Sequence, residues 1–559
     1  MDNYAIADQF SLLSKLMDIH GDNAFKSKSY ASAAFTIEKM ATVLSTIPLQ
    51  QLSKIPGIGE SVGKKIQEIL QTGELKQLQE LLAKTPEGIL EMLQIKGLGP
   101  KKIFTIWKDL HIETVAELLD YCETNKLASV KGFGEKTQDK IVAAINFYKQ
   151  NEGSFLYAQV ESFAELFTEK LKTEFKKETT QLTGAFRRQL EIIEKLEWVT
   201  TIPFDALELF LTAEGLTVLN KNKDFISFAT TANITLEFYV TTKENFYITL
   251  IKTSSSSEFF TTLSDLDEWK KVKKFNSEEE IFQQAGLSFI PPFLRENKSI
   301  IGKALHKNIP TVIEPADVKG LIHSHSNWSD GGNTIEEMVV ALIKLGFEYL
   351  VISDHSKAAF YAGGLSVEKI KEQHLYIDML NKKYQPFKIY KSIECDILSD
   401  GSLDYSEDVL ALFDLVITSI HSNLQMTEEK AMERLLGAIN NPYTTILGHM
   451  TGRRLLTRDS YPVDHKKIID ACAEKKVVIE INANPARLDM QWQWIEYAIE
   501  KKVLLSINPD AHTIDEFANI KYGVLVAQKG GLTKKNNLSS FNRNQFESFL
   551  EDRKKSKYI

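Results

Sequence analysis

Cysteine is nearly missing. There are three in 559 residues, Cys122, Cys395 and Cys472, none in a Cys-x-x-Cys pair. That excludes a disulfide framework or a thiolate zinc finger and fits a reducing cytoplasm. No apolar run approaches the ~20 residues that a membrane helix needs, so no membrane partner is expected. The start, MDNYAIADQF, lacks the basic flank and apolar core of a secretory leader. The chain is therefore expected to be cytoplasmic. Positive charge is not in excess either: 67 Lys and Arg face 75 Asp and Glu, a net charge of −8. Any nucleic-acid binding must then be local. Histidine is also sparse, at 11 residues, so its placement carries information.

What is present is 43% hydrophobic and 25% charged residues, the balance of a soluble globular protein. The length predicts several domains, at about 100–200 residues each. Six of the 11 histidines stand where apolar runs end. Gly320-Leu-Ile-His323-Ser-His325 ends in two histidines at i and i+2, with Asp330 five residues on. On a strand, i and i+2 share a face. Similar runs end in Asp354-His355, Glu394, His421, His449 and Asp510-Ala-His512. One His-x-His pair is an ordinary surface or core feature. The recurrence of imidazole and carboxylate at successive strand ends points to a shared metal site. Between these runs lie helical stretches, and the alternation predicts a parallel βα architecture with its site on the rim at the strand C-termini.

Residues 1 to about 150 read as helices with glycine breaks. One pattern occurs three times: Gly57-Ile-Gly59 before Lys64-Lys65, Gly97-Leu-Gly99 before Lys101-Lys102, and Gly132-Phe-Gly134 before Lys136. Glycine permits a tight turn with φ > 0 and close approach of a phosphate. The helix that follows presents free N–H groups, and the lysines add charge. Such contacts grip the sugar-phosphate backbone without reading sequence. A plain αα-hairpin would account for the glycines but not for the repeated lysines. The pattern resembles the helix-hairpin-helix motif of DNA repair and replication proteins, which implies DNA as partner. The first eighty-odd residues also resemble the lyase-type domain of X-family DNA polymerases. In that family a lysine at the place of Lys65 forms a Schiff base; a phosphate contact is the simpler role.

Gly184-Ala-Phe-Arg187-Arg188 resembles the X-family palm motif, which holds the incoming nucleotide's phosphates. Phe289-Ile-Pro291-Pro292-Phe-Leu-Arg295-Glu296 resembles a thumb signature of bacterial and archaeal members. The family's pair of Mg²⁺-binding aspartates should fall near positions 195 and 197, where this chain has Lys195 and Glu197. The third family aspartate has its nearest equivalent in Glu237, and the motif serine is Ala185. An ammonium repels Mg²⁺, so the departure counts against a palm Mg²⁺ site and against nucleotidyl transfer.

From about Val318 onward the ordered ligand set resembles the PHP (polymerase and histidinol phosphatase) domain. The resemblance implies up to three divalent metals, Zn²⁺ and/or Mn²⁺ with Fe as a further option, held by His323, His325, Asp330, His355, Glu394, His421, His449, Asp510 and His512. It implies a catalytic group of His323, His325, Glu394 and Asp510, with Arg453 and Arg487 gripping phosphate. A salt bridge on the rim is the alternative for the two arginines.

The resulting expectation is a multidomain chain. An all-α helix-hairpin-helix N-terminal region (1–85 lyase-like, 86–150 fingers-like) precedes an α+β polymerase-like palm (151–265) and thumb (266–316). A C-terminal distorted (βα)7 PHP barrel follows (317–559). The expected function is metal-dependent hydrolysis of DNA phosphoesters in repair, as a 3′→5′ exonuclease with abasic-site or 3′-phosphate cleavage as further options. Two readings stay open: an active DNA polymerase with a PHP exonuclease, and a histidinol-type small-molecule phosphatase on a DNA-binding scaffold. The expected DNA is gapped, nicked or 3′-ended, bound without sequence preference by a monomer.

Overall fold

The computed structural model describes residues 3–38, 40, 44–266, 269–270, 272 and 274–556. The chain divides into two compact units, Met1–Glu152 and Gly153–Ile559.

The first unit is helical throughout. One apolar core, from Ile6 and Phe10 to Ile141 and Ile145, runs through both expected halves. The three hairpin turns form as the glycine pattern predicts. Gly57, Gly97 and Gly132 take φ of +86°, +89° and +96°, which a side chain would strain. Gly59 and Gly99 are the extended N-caps of the helices Glu60–Thr72 and Pro100–Phe104. The second helix is shorter than the basic helix expected there, because it passes into a wider π turn at Thr105–Asp109. The third starts on Gly134 itself, in Gly134–Asn151.

The second unit opens with a two-stranded ribbon, β1 (Phe155–Leu156) against β3 (Ile192–Ile193). The palm sheet contains β2 (Thr180–Leu182), β4 (Lys195–Thr200), β5 (Thr217–Lys221), β6 (Phe225–Ala229) and β7 (Thr235–Val240), in the order β2-β4-β7-β6-β5. Only β4 and β7 run parallel. Trp198 stacks on Phe238 at 5.0 Å in its core. A separate cluster around Phe259, Phe282 and Ile290 forms the thumb-like part.

The rest is a barrel. Strands β8 (Gly320–Ser324), β9 (Tyr349–Ile352) and β10 (Lys388–Lys391) form one parallel sheet. Strands β11 (Glu394–Asp396), β12 (Val416–Ser419), β13 (Thr444–Leu447), β14 (Val478–Asn482) and β15 (Leu505–Asn508) form another. β10 and β11 are one interrupted strand, and parallel bridges His355↔Glu394 and Ser324↔Ala511 join the sheets. The strands thus close as seven, distorted at the two bridges. Helices on the outer face bury the strands' second side, so β8, β9, β12, β13, β14 and β15 are buried at every position. That fits the consecutive apolar residues Leu321-Ile322, Tyr349-Leu350-Val351-Ile352 and Ile446-Leu447. The helix Ile335–Leu345 shows how the crossovers are punctuated: Thr334 and Glu337 form a capping box, and Gly346 ends it in the left-handed conformation.

Candidate functional site

The barrel strands deliver their polar side chains at their C-terminal ends. His323, next to last in β8, has φ +62°, and Asp510 follows β15 with φ +53°. Both are strained conformations for non-glycine residues, as is common where a site over-determines the backbone. Glu394 stands at the centre. Its Oε1 lies 3.0 Å from His449 Nε2, 3.1 Å from His421 Nε2 and 3.3 Å from His323 Nε2. Its Oε2 lies 3.0 Å from His355 Nδ1 and 3.7 Å from His325 Nε2. Asp510 Oδ1 lies 3.2 Å from His325 Nε2 and 3.5 Å from His323 Nε2. Asp330 is 3.6 Å from His355 and 3.5 Å from His512.

The nine residues expected as ligands are therefore brought together. They form four overlapping groups able to hold a cation: His325/Asp330/His355/His512, His323/Glu394/His449, His323/His325/Asp510 and His355/Glu394/His421. The donor set fits divalent metal. His323 Nε2, His325 Nδ1, Glu394 Oε2 and His449 Nδ1 are buried without a hydrogen-bond partner among the described residues, a costly arrangement unless a cation completes it. Mixed imidazole and carboxylate ligation suits transition metals such as Zn²⁺ and Mn²⁺.

The electrostatics agree. Burial alone would lower the pKa of His323, yet Glu480, Glu394 and Asp510 raise it well above the ordinary value. His421, also opposed by burial, rises to about 10 beside Glu394 and Asp396. His325 drops to about 3 through burial and the neighbouring His355 and His512. Burial opposes ionisation of Asp330, but His512 and its neighbours bring it down to about 2. The carboxylates demand positive charge, which metal would supply while leaving the rings neutral.

Two residues absent from the expected set complete this centre. Glu480, fully buried in β14, accepts from His323 Nδ1 at 2.6 Å, from the His449 backbone N–H at 3.1 Å and from Asn508 Nδ2 at 2.8 Å. Asp396, two residues after Glu394 and so on the same strand face, lies 3.2 Å from His421 Nδ1. Such carboxylates fix ring orientation and strengthen the ligand. A charge inside the apolar run Val478-Ile-Glu480-Ile was the sequence signal for the first.

The two arginines are placed differently. Arg487 Nε is 3.5 Å from Asp510 Oδ2, at the centre's edge. Arg453 is not a free phosphate grip. It is buried, with Nη2 paired to Glu191 Oε1 at 2.6 Å and to the Leu488 carbonyl, and Nε donating to the Arg487 carbonyl at 2.8 Å. The salt-bridge alternative describes it, because three acceptors already take its Nε and Nη2 donors. Burial and, beyond it, the nearby Arg487 lower the pKa of both Arg454 and Arg458. They add positive charge that the sequence reading passed over.

The palm motif is also occupied from within. Register places Glu197 opposite Glu237 across β4 and β7. Lys195 Nζ reaches Glu237 Oε2 at 2.7 Å and Glu197 Oε1 at 3.5 Å. Tyr239 and the Ala185 backbone N–H donate to Glu197 at 3.0 and 3.3 Å. Gly184, φ +63°, lies so close that a Cβ there would strike the Glu197 carboxylate. Arg187 pairs with Glu278 through Nη1 and Nη2, and Arg295 joins at 2.7 Å. Arg188 pairs with Glu296 at 2.8 Å. These arginines are engaged in ion pairs rather than exposed for a nucleotide.

In the N-terminal unit Lys64, Lys101 and Lys136 are exposed. Lys64 pairs with Glu60 at 2.8 Å, Lys65 lies 5.6 Å over the Tyr30 ring, and Lys102 donates to the Gly97 carbonyl at 2.9 Å.

Fold and site together define a helix-hairpin-helix protein that carries a polymerase-like palm and a PHP phosphoesterase barrel. Family models agree: "Helix-hairpin-helix domain" matches residues 1–75, "SAM-like Helix-hairpin-helix tandem" residues 89–146, and "PHP domain" residues 322–484. The chain is 32% identical over 565 aligned positions to the DNA polymerase/3′-5′ exonuclease PolX of Bacillus subtilis (strain 168), covering 96% of this chain and 97% of that protein. A "Probable phosphatase" of Thermoanaerobacter sp. (strain X514) is 25% identical over 236 positions, 39% of this chain and 89% of that protein. Another, of Clostridium acetobutylicum, is 32% identical over 177 positions, 30% of this chain and 65% of that protein. The chain belongs to the PolX family of X-family DNA polymerases with a PHP domain. The two helix-hairpin-helix matches and the polymerase relative indicate DNA binding. Among the described residues, no helix is long and apolar enough to cross a membrane.

Proposed function

We propose that the working chemistry of this chain is hydrolysis of DNA phosphoesters at the PHP barrel, as a 3′→5′ exonuclease, and that its palm does not transfer nucleotides. The observation that carries the first part is Glu394, in contact with five imidazoles. On this reading His323, His325, Glu394 and Asp510 hold one cation. Glu394, His421 and His449 hold a second, and Asp330, His355 and His512 hold a third, with Zn²⁺ or Mn²⁺ as the best-suited ions. Bound metal would lower the pKa of water and polarise the phosphoryl group. The protein's own part is orientation: Glu480 and Asp396 fix the rings of His323 and His421. Arg487 offers charge to a phosphate, aided by Arg454 and Arg458. The helix-hairpin-helix unit supplies sequence-independent affinity through exposed lysines and hairpin N–H groups.

The palm half of the reading rests on Lys195, whose ammonium stands between the two carboxylates a metal would need. The second reading, a small-molecule phosphatase, draws support from the relatives named as probable phosphatases. End-labelled single-stranded DNA incubated with Mn²⁺ separates the two. Stepwise release from the 3′ end, abolished by Glu394→Gln, supports the exonuclease. Intact DNA together with hydrolysis of a small phosphomonoester supports the phosphatase.

A further inference from the structure

Glu191 lies between the palm motif and β3, far in sequence from any barrel residue. Its carboxylate is largely buried and accepts from Arg453 Nη2 at 2.6 Å. Arg453 in turn donates to the carbonyls of Arg487 and Leu488. Those two residues close the turn after β14, where the Arg487 N–H bonds Asn484 O at 2.8 Å and Leu488 takes φ +47°. The same turn aims Arg487 at Asp510, with Nε 3.5 Å from Oδ2. Glu191 is therefore two side chains from the phosphoesterase centre.

The anchor itself is held firmly. Lys529, buried in the barrel helix Ile520–Lys529, donates to the Arg188 carbonyl at 2.9 Å and to Glu296 Oε1 at 3.0 Å. Gln189 Nε2 donates to Gln528 Oε1 at 3.4 Å. Arg188, Gln189 and Glu191 of the palm segment thus all bond to barrel residues.

We propose that Glu191 is a positioning residue of the barrel's phosphoesterase: through Arg453 it fixes the 484–488 turn and so the aim of Arg487. The degenerate palm motif is then kept as a bracket for the hydrolytic site. The proposal rests on the phosphoesterase reading for its consequence, but its structural part stands without it. An arginine whose buried counter-ion is removed must find new acceptors, and the two carbonyls it now holds would be released.

The test uses the full chain carrying Glu191→Gln, Glu191→Asp, Arg487→Gln and the double variant Glu191→Gln/Arg487→Gln. In metal-free protein, hydrogen exchange at the amides of Arg487 and Leu488 is expected to quicken about tenfold in Glu191→Gln. Glu191→Asp, which keeps the charge, should quicken it less. With Mn²⁺ and a thymidine p-nitrophenyl phosphodiester, Glu191→Gln should raise KM about tenfold with unchanged metal content. The double variant should be no worse than Arg487→Gln alone, since one effect passes through the other. Unchanged exchange in both Glu191 variants, or losses that multiply in the double variant, overturn the proposal. If the wild-type chain hydrolyses nothing, the phosphoesterase reading fails and exchange alone decides the positioning claim. If Glu191→Gln does not fold, Glu191→Asp carries the same comparison.

Discussion

Lys195 Nζ lies 2.7 Å from Glu237 Oε2 and so occupies a cation position on the palm sheet with a tethered charge. Burial opposes that charge, but the carboxylates of Glu237 and Glu197 prevail and raise the lysine's pKa above its ordinary value. The ammonium is therefore a permanent occupant near neutral pH.

Replacing it should open the position. Lys195→Asp is expected to bind one more Mn²⁺ per chain than the wild type, counted by paramagnetic resonance of free Mn²⁺. An equal count in both proteins would show that the lysine is not what keeps metal out.

The Arg187–Glu278–Arg295 group should make palm and thumb acid-sensitive. Burial would raise the pKa of Glu278, but the two arginines hold it below the ordinary 4.5. The unfolded chain then takes up the proton at higher pH than the folded one. The stabilisation is complete above 4.5 and is lost as pH falls through the lower folded value. Glu278→Gln should cost about 3–5 kcal/mol at neutral pH, since it strands two buried cations. Urea denaturation should show that difference shrinking as pH drops below the ordinary glutamate value. A pH-independent difference would contradict the assignment.

Glu480 orients His323 without being placed among the nine ligands. Glu480→Gln should weaken metal binding about 10–100-fold, measured by competition with a chromophoric chelator. Affinity equal to wild type would mean that the 2.6 Å contact to His323 Nδ1 does not matter for binding.

The hairpin lysines should separate by their surroundings. Lys101 is exposed, whereas Lys102 donates to the Gly97 carbonyl within the turn. Lys101→Ala should lower the slope of log K against log salt by about 0.9 for duplex DNA. Lys102→Ala should chiefly lower the melting temperature. Equal slopes for wild type and Lys101→Ala would remove that lysine from the DNA contact.

The convergence of the barrel's histidines and carboxylates was legible because most of them stand at or just beyond strand C-termini, which meet on one rim. The hairpins were legible because φ > 0 demands glycine at fixed places. For Arg453 the sequence left phosphate and a salt bridge both open: a Gly-Arg pair looks the same whether the guanidinium meets phosphate or Glu191, which lies 262 positions away in sequence. Asp396 was missed because a carboxylate that orients a ligand has the same sequence appearance as a solvated one; Glu480 was marked only by its place inside an apolar run. The absent palm aspartates were visible as a substitution, but only geometry shows Lys195 bridging the surviving glutamates.

On the proposed function, the barrel hydrolyses DNA while the palm does not extend it. A 5′-labelled primer on a template, incubated with Mn²⁺ with and without dNTPs, tests both parts. The wild-type chain should shorten the primer in either case, and His323→Ala/His325→Ala should leave it intact. A primer lengthened when dNTPs are present, or shortened as fast by the double variant, would contradict the account.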